Sequence, residues 1–308
     1  PILIEKETRE TLKETMQQNY TFISEEMQRS DWFSVYINSF VSQYDPNTSY
    51  LDPESKDRFD VDMSGNYAGI GARLLKKIDK VEITEVISGG PAWRDNILEK
   101  GDAILKVRQD NEDEPVGILN MRLSEAVKLI KGKKGTKVHL TVKKVDGTVT
   151  EVTVKRDIVL LEETYIKSSI VEKDNNTYGL INIPKFYIDF DNQSNRDAAK
   201  DLRTEIERLK EQGIQGLVID LRNNGGGALK TVVDMAGMFI KNGPVVQVKY
   251  FDKEKQVLSD RDRSVLWTGP LVILVNEGSA SASEILAAAM QDYKLSLIHI
   301  SEPTRQKP

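Results

Sequence analysis

The sequence predicts a multidomain α+β protein with a helical N-terminal segment, a β-rich domain with short helices, and a C-terminal α/β core. Residues 4–43 carry apolar side chains at helical spacing and lack an internal Gly or Pro. From about Asp62, short apolar stretches alternate with glycine-containing turns, which is typical of strands. After Lys155, buried-strand patterns alternate with amphipathic helices, which indicates an α/β fold.

The composition favours a soluble globular protein and excludes several kinds of site. The chain has 308 residues, of which 39% are hydrophobic and 30% are charged, with a formal net charge of -5. We expect no nucleic-acid binding, because this charge provides no basic surface. The chain has no cysteine, which excludes disulfides and a cysteine nucleophile. With only two histidines, His139 and His299, we expect no metal and no other cofactor.

Targeting signals are not evident in the sequence. No run approaches the roughly 20 apolar residues of a membrane helix. No signal peptide is recognised, but the first residue is Pro1 rather than Met, so secretion stays open.

The β-rich region resembles a PDZ domain in three pieces that occur in the family's order. The glycine loop corresponds to Gly69, Ile70 and Gly71, followed by Ala72. The central part of the family's pattern corresponds to ISGGPAWRDNILEKGDAILKV, and its groove helix corresponds to LSEAVKLIKG. The resemblance implies that loop N–H groups bind the C-terminal carboxylate of a protein. The bound peptide would extend the adjacent strand beside the groove helix.

Other polar residues of this region have structural interpretations. Gly101 and Asp102 are expected to shape a turn, and His139 is expected to be a strand residue rather than a catalytic base. KVHLTVKKVDGTVTEVTVKR predicts two strands joined at Asp146-Gly147.

The α/β core contains two buried strands that each run through a turn of small residues into a helix. GLVIDL leads into RNNGGG, and PLVILV leads into NEGSASAS. A helix N-terminus stabilises developing negative charge, and glycines allow a substrate backbone to approach closely. One turn could hold an oxyanion while a serine of the other attacks: Ser279, Ser281 or Ser283. The competing interpretation is structural, because small residues after strands are common and serine is a good N-cap.

Together with the PDZ-like region, these turns resemble the C-terminal processing, or tail-specific, proteases of peptidase family S41. LVIDLRNNGGGALKTVVDMAGMFI and LVILVNEGSASASEILAAAMQDY match the family's two core motifs. YDPNTSYLDP resembles its D-P-H-T-S-Y-L segment, with Asn47 where histidine is usual. The resemblance covers roughly residues 30–294 and implies a crotonase/ClpP-like core.

The resemblance also implies roles for individual residues. Ser281 would be the nucleophile, although sequence spacing alone does not choose among the three serines. The N–H groups of Ala282 and of Gly227 or Gly226 would form the oxyanion hole. Asp292 is expected to support the fold of the site rather than to transfer protons.

The general base predicted by the resemblance is a lysine, which suits the scarcity of histidine. The family places this lysine in a G-K-G-T turn roughly 25 residues after the serine, which falls on Gln306. Lys307 lacks the flanking strand and glycines, and Lys294 ends the nucleophile's own helix. The general-base lysine is therefore expected to be absent from this chain.

The last residues, LSLIHISEPTRQKP, resemble the translation of an adapter used in sequencing libraries. We therefore expect a foreign tail, a C-terminally truncated core and little or no activity, and His299 is no candidate residue. The predicted domains are 1–61 (helical), 62–156 (PDZ), 157–294 (protease core) and 295–308 (non-native tail).

The predicted function is a serine endopeptidase that recognises substrate C-termini and cleaves through an acyl-enzyme. A non-catalytic peptide-binding protein and a crotonase-like acyl-CoA enzyme are the alternatives. The resemblance implies a bacterial envelope, periplasmic location, a weakly apolar tail preference and an adaptor protein as partner, and it leaves the oligomeric state open.

Overall fold

The computed structural model describes residues 2–21, 23–24, 27–77, 80–190, 196–251 and 254–300. Two compact units are formed, one from residues 1–59 and 68–157, the other from residues 60–67 and 158 onward. None of the helices among the described residues is both long enough and apolar enough to cross a bilayer. The four domain boundaries stay a prediction.

Up to residue 157 the chain alternates helices with short strands. In chain order these elements are α1 (Ile2–Thr21), α2 (Arg29–Tyr44), α3 (Pro53–Ser64), β1 (Asn66–Gly69), β2 (Ala72–Lys76), β3 (Val81–Val86), α4 (Pro91–Arg94), β4 (Ala103–Gln109), β5 (Val116–Gly117), α5 (Leu123–Ile130), β6 (Lys137–Lys143) and β7 (Val149–Lys155).

The first unit is centred on an antiparallel sheet in the order β2-β3-β4-β6-β7, so β2 lies at one edge. β6 and β7 pair from Lys137 with Lys155 to Lys143 with Val149, which confirms the predicted hairpin. On α5, Ala126 and Ile130 are buried in the core of this unit, while Leu123 is partly buried against it. α5 therefore buries one face, as an amphipathic helix does.

The second unit contains the α/β core. Its remaining elements are β8 (Asp157–Leu160), β9 (Lys167–Lys173), β10 (Asn176–Asn182), α6 (Ala198–Glu211), β11 (Gly216–Asp220), α7 (Leu229–Ala236), β12 (Gly243–Val248), β13 (Gln256–Asp260), β14 (Leu271–Val275), α8 (Ala282–Asp292) and β15 (Ser296–Ile300).

The main sheet of this unit has the order β15-β14-β11-β10-β9. Strands β10, β11 and β14 run parallel, and β9 is antiparallel to β10. The predicted apolar face of α6 is confirmed, since Leu202, Ile206 and Leu209 are buried. Gly213 follows this helix with a φ of 74°, as expected for a helix terminated by glycine.

Strand β15 belongs to the segment that the sequence predicts to be foreign. Its backbone pairs in parallel with β14, from Ser296 opposite Leu271 to Ile300 opposite Val275. An open sheet edge accepts any segment of suitable strand propensity, and SLIHI is rich in β-branched residues. The pairing therefore does not bear on the origin of residues 295–308, which stays a prediction.

Candidate active site

Two turns leave the same edge of the core sheet. β11 and β14 are adjacent and parallel, with Asp220 opposite Leu274. We call residues 221–228, after β11, the glycine turn, and residues 276–281, after β14, the serine turn. Because parallel strands end at a common edge, the two turns are neighbours although 47 residues lie between them in the chain.

Asparagine side chains join the two turns. The side-chain oxygen of Asn276 accepts the backbone N–H of Asn223 at 2.7 Å, and its amide nitrogen donates to the side-chain oxygen of Asn223 at 2.8 Å. The Ala280 N–H donates to the Asn224 carbonyl at 3.0 Å. The relative position of the turns is therefore fixed by directional bonds as well as by sheet pairing.

The three serines have different environments. Ser279 is half-buried, and its Oγ donates to the Leu221 carbonyl at 2.8 Å. Ser283 is fully buried, and its Oγ donates to the Asn224 carbonyl at 2.9 Å. Ser281 is exposed at the start of α8. Of the three hydroxyls, that of Ser281 is the accessible one, whereas the other two brace the turns.

The backbone at Ser281 is strained. Its φ is 55° and its ψ is -113°, a region that a residue with a Cβ rarely adopts. Such a conformation costs on the order of 1–3 kcal/mol and persists only where neighbouring structure imposes it. The Ser281 N–H donates to the Glu284 carboxylate at 2.6 Å. A sharp strand-to-helix turn of this kind exposes the serine of a nucleophile elbow.

Asn224 organises the glycine turn from within. This fully buried side chain donates from Nδ2 to the Ile183 carbonyl at 2.7 Å, and its Oδ1 accepts the Gly226 N–H at 2.8 Å. The N–H of Gly226 is thus committed inside the turn. In contrast, the N–H groups of Gly227 and Ala282 have no acceptor within the part of the chain that the structure describes. These two donors are free to bind an oxyanion.

The glycines allow the two turns to touch. A Cβ on Gly226 would lie 2.8 Å from the Cβ of Ser281 and 3.1 Å from the Ala282 nitrogen. A Cβ on Gly227, whose φ is 146°, would overlap the Phe186 carbonyl oxygen. Phe186 bridges this turn on its other side, because its N–H donates to the Gly226 carbonyl at 3.0 Å. Glycine is therefore required at both positions.

The remaining residues predicted for the site lie elsewhere. Asp292 is the last residue of α8, and a helix rise of 1.5 Å per residue separates it from Ser281 by roughly 16 Å. Lys294 follows the same helix end. The structure therefore brings Ser281, Ala282, Gly226 and Gly227 together, but not Asp292. Among the described residues, no lysine makes a hydrogen bond with Ser281.

An ion pair lies where β11 enters the glycine turn. Burial raises the pKa of Asp220, but the Arg222 guanidinium outweighs this effect, and the net pKa of the carboxyl is below its ordinary value. The two groups are 2.6 Å apart. Asp220 is therefore ionised near neutral pH and holds the Arg222 side chain.

The predicted peptide-binding loop lies at the edge of the first unit's sheet. Gly69 ends β1, Ala72 begins β2, and Gly71 between them has a φ of 80°. The carbonyl of Ile70 accepts the Ala92 N–H at 2.9 Å. Among the described residues, the N–H groups of Ile70 and Gly71 have no acceptor. The loop thus offers free donors beside an open strand edge.

Family models match most of the chain in three pieces. The Tail specific protease N-terminal domain matches residues 3–54, the PDZ domain matches residues 59–143, and Peptidase family S41 matches residues 177–307. Residues 177–307 of the chain belong to peptidase family S41. The multidomain fold class predicted from the sequence is confirmed.

Two relatives of this chain are bacterial proteases. A tail-specific protease of Haemophilus influenzae is 37% identical over 87% of this chain, which covers 37% of that protein. The carboxy-terminal processing protease CtpA of Bacillus subtilis is 36% identical over 80% of this chain, which covers 49% of that protein. The chain thus spans less than half the length of these relatives.

A solved structure resembles part of the S41 chain. It is the PDZ domain of a carboxy-terminal protease from Vibrio cholerae in complex with peptide, 40% identical, covering 30% of this chain and 97% of that domain, with a TM-score of 0.29.

Sequence reasoning missed the residues that brace the S41 site. Asn224 and the Asn223–Asn276 pair were not singled out. Asparagine is enriched beside tight turns because its side chain bonds nearby backbone groups, so the Asn-Asn pair before three glycines was an available signal. The role of Ser279 as a brace could not be distinguished from that of a nucleophile without coordinates.

Proposed function

We propose that this chain is part of a serine endopeptidase that binds the C-terminal tails of protein substrates and cleaves the substrates with Ser281 as its nucleophile. The observation that carries the proposal is the environment of Ser281: an exposed hydroxyl on a strained turn, in contact with a glycine turn and near two backbone donors without acceptors. A structural N-cap serine does not need a strained backbone, since the usual N-cap conformation is extended.

In the proposed reaction, Ser281 Oγ attacks the carbonyl carbon of the scissile peptide bond. The carbonyl oxygen becomes negatively charged, and the N–H groups of Gly227 and Ala282 stabilise it. The hydroxyl proton passes to a neutral lysine and then to the leaving amine, which gives an ester on Ser281. A water molecule then hydrolyses this acyl-enzyme.

The lysine of this mechanism is not assigned to any residue of this chain. Ser281 has no lysine partner among the described residues, and the family's G-K-G-T setting is absent from residues 282–294. We propose that residues 295–308 are foreign and that the core is truncated. This chain alone is then expected to be inactive or nearly so.

Substrate capture is assigned to the PDZ domain. Gly69, Ile70, Gly71 and Ala72 would bind the terminal carboxylate, and the peptide would pair with β2 as a further strand. The edge position of β2 and the half-buried apolar side chains of Leu74 and Leu123 support this assignment. We also propose a bacterial envelope, periplasmic location and, as a further partner, an adaptor protein.

The experiment compares two chains on a purified substrate that ends in an apolar tail. This chain should not turn over the substrate. The chain extended by its native sequence after Lys294 should cleave it, and Ser281→Ala should reduce kcat/KM at least about 1,000-fold. Ser264→Ala, which removes an exposed loop hydroxyl of the same unit, is the control and should retain activity.

Two results would contradict different parts of the proposal. Undiminished cleavage by the extended Ser281→Ala chain would remove Ser281 as nucleophile. Normal turnover by the unextended chain would show that its base lies within these residues and that the proposed truncation is wrong.

A further inference from the structure

The N-terminal end of the groove helix α5 is tied to the N-terminal end of α2. Arg122, the N-cap of α5, places its guanidinium 2.8 Å from the Asp31 carboxylate of α2. Gln28, the N-cap of α2, donates from its side chain to Glu125 of α5 at 2.7 Å. Asp31 and Arg122 are both partly buried, so solvent screens this ion pair less than an exposed one.

The same two carboxylates also cap their own helices. Asp31 accepts the Gln28 backbone N–H at 2.8 Å, and Glu125 accepts the Arg122 backbone N–H at 3.3 Å. Each carboxylate therefore satisfies an unpaired donor of its own helix and a side chain from the other helix. We call these four residues the cap interlock. Moving either helix breaks bonds at the ends of both.

Further charges on the two sides of this contact have opposite signs. Lys128 of α5 lies 3.5 Å from Glu54 at the start of α3. Lys131, directly after α5, is partly buried, and burial lowers its pKa while the Asp57 carboxylate opposes that effect. Arg122, Lys128 and Lys131 thus face carboxylates at positions 31, 54 and 57.

The opposite end of α5 is held by Arg156, which directly follows β7. Arg156, which is 3% exposed, donates to the carbonyls of Ile130 and Leu129 at 2.8 and 2.9 Å. α5 has only eight residues, too few for a helix to be stable by itself, so its position depends on tertiary contacts. These are the buried Ala126 and Ile130 on its face, Arg156 at one end and the helical segment at the other.

We propose that the cap interlock positions α5 for peptide capture, so that the helical N-terminal segment contributes to tail binding by holding α5 in place. This inference rests on the proposed tail-binding function. A peptide added to β2 lays its alternate side chains against α5. A shift of the N-terminal end of α5 would move Leu123, which directly follows Arg122 and is partly buried against the core of this unit, and would weaken the fit.

The test measures binding of a fluorescent peptide with an apolar C-terminal residue and a free carboxylate, by anisotropy, with the same peptide amidated as reference. Asp31→Ala and Arg122→Ala should each weaken binding about 5-fold or more, as for a modest coupling between sites. The double variant should be no weaker than the worse single variant. The exchanged pair, D31R with R122D, should recover part of the affinity.

Glu151→Ala is the matched control, because it removes an ion pair with Arg108 at 3.1 Å on the sheet, away from α5. It should bind within about 2-fold of the parent chain. Raising the salt concentration from about 0.1 to 1 M should weaken peptide binding by the parent chain more than peptide binding by the double variant.

The outcomes separate the two proposals. If the parent chain binds the free-carboxylate peptide but the single variants bind equally well, the interlock has no role in capture and the inference is wrong. If the parent chain does not distinguish the free peptide from the amidated one, the tail-binding function itself is wrong. If the single variants lose affinity, backbone hydrogen exchange in α5 should also be faster, and slower or unchanged exchange would contradict positioning.

Discussion

The two glycine loops of this protein present free N–H groups in different ways. The loop from Gly69 to Ala72 is held by main-chain bonds, such as the one from the Ile87 N–H to the Gly71 carbonyl at 2.8 Å, and it borders an open strand edge. The glycine turn is held by the buried Asn224 side chain and by bonds to the serine turn. An open edge suits a ligand that adds a strand, whereas a braced turn suits donors that must stay fixed relative to a hydroxyl.

This difference predicts that substitutions in the glycine turn mainly lower folding stability and catalytic activity. Substitutions in the loop from Gly69 to Ala72, which we call the groove loop, should instead lower peptide affinity. Four predictions follow from it in order of expected effect.

The largest effect is expected for Gly227→Ala. The added Cβ would overlap the Phe186 carbonyl at a φ of 146°, so we expect a loss of about 4 kcal/mol in the free energy of unfolding, from strain and overpacking together. Urea denaturation of the second unit measures it. Gly225→Ala is the matched control, because its Cβ would meet no atom within 4 Å. Equal stability of the two variants would contradict the proposed close contact.

A smaller loss is expected for Asn224→Ala. Removing this side chain leaves the Ile183 carbonyl and the Gly226 N–H unpaired, at a cost of about 3 kcal/mol. Asn224→Asp keeps the acceptor for Gly226 but places a buried carboxylate oxygen against the Ile183 carbonyl, so near neutral pH it should be no more stable than Asn224→Ala. Thermal unfolding of both variants measures these losses, and an Asp variant as stable as the parent at that pH would argue against the bond to Ile183.

Gly71→Ala, in the groove loop, is expected to lower the free energy of unfolding by about 2 kcal/mol and to weaken peptide binding. Its φ is 80°, and a Cβ there would lie 3.0 Å from the Gly90 Cα. Gly89→Ala is a close control, with a φ of 75° and no neighbour within 4 Å of the added Cβ. The difference between the two variants in chemical denaturation isolates the crowding from the backbone strain. If they lose equal stability, Gly90 does not crowd the loop.

The smallest expected effect is a gain in folding stability, and it concerns Ser281. Ser281→Gly should be more stable than Ser281→Ala by about 1 kcal/mol, because glycine adopts a φ of 55° without strain. The comparison of Ser264→Gly with Ser264→Ala is the control, since Ser264 is not at positive φ, and there glycine should bring no gain. Ser281→Gly less stable than Ser281→Ala in denaturant titrations would mean that the strain is absent.

Much of the fold could be predicted from the sequence because local patterns determine it. Alternation and turn residues located the β6–β7 hairpin, and apolar spacing located the buried face of α6. The meeting of the glycine and serine turns followed from a general property of parallel strands, whose carboxyl ends share an edge. These predictions needed no knowledge of individual hydrogen bonds.

The details of the site could not be predicted because they depend on tertiary contacts. The exposure and strained φ of Ser281, together with the bonds of Ser279 and Ser283, distinguish the three hydroxyls. The side chain of Asn224 donates a hydrogen bond to the carbonyl of Ile183, which lies 41 residues away in the chain. The remote position of Asp292, in contrast, could have been anticipated from the rise of an 11-residue helix.

The bonds between the turns also have a consequence for the newly made polypeptide. Asn223 and Asn276 lie 53 residues apart, and Ser279 bonds a carbonyl 58 residues earlier. While the chain emerges from the ribosome, the Ser281 hydroxyl and the Gly227 N–H cannot meet until β14 has docked beside β11. A nascent or unfolded copy therefore lacks the arrangement on which the proposed cleavage depends, and only the finished sheet provides it.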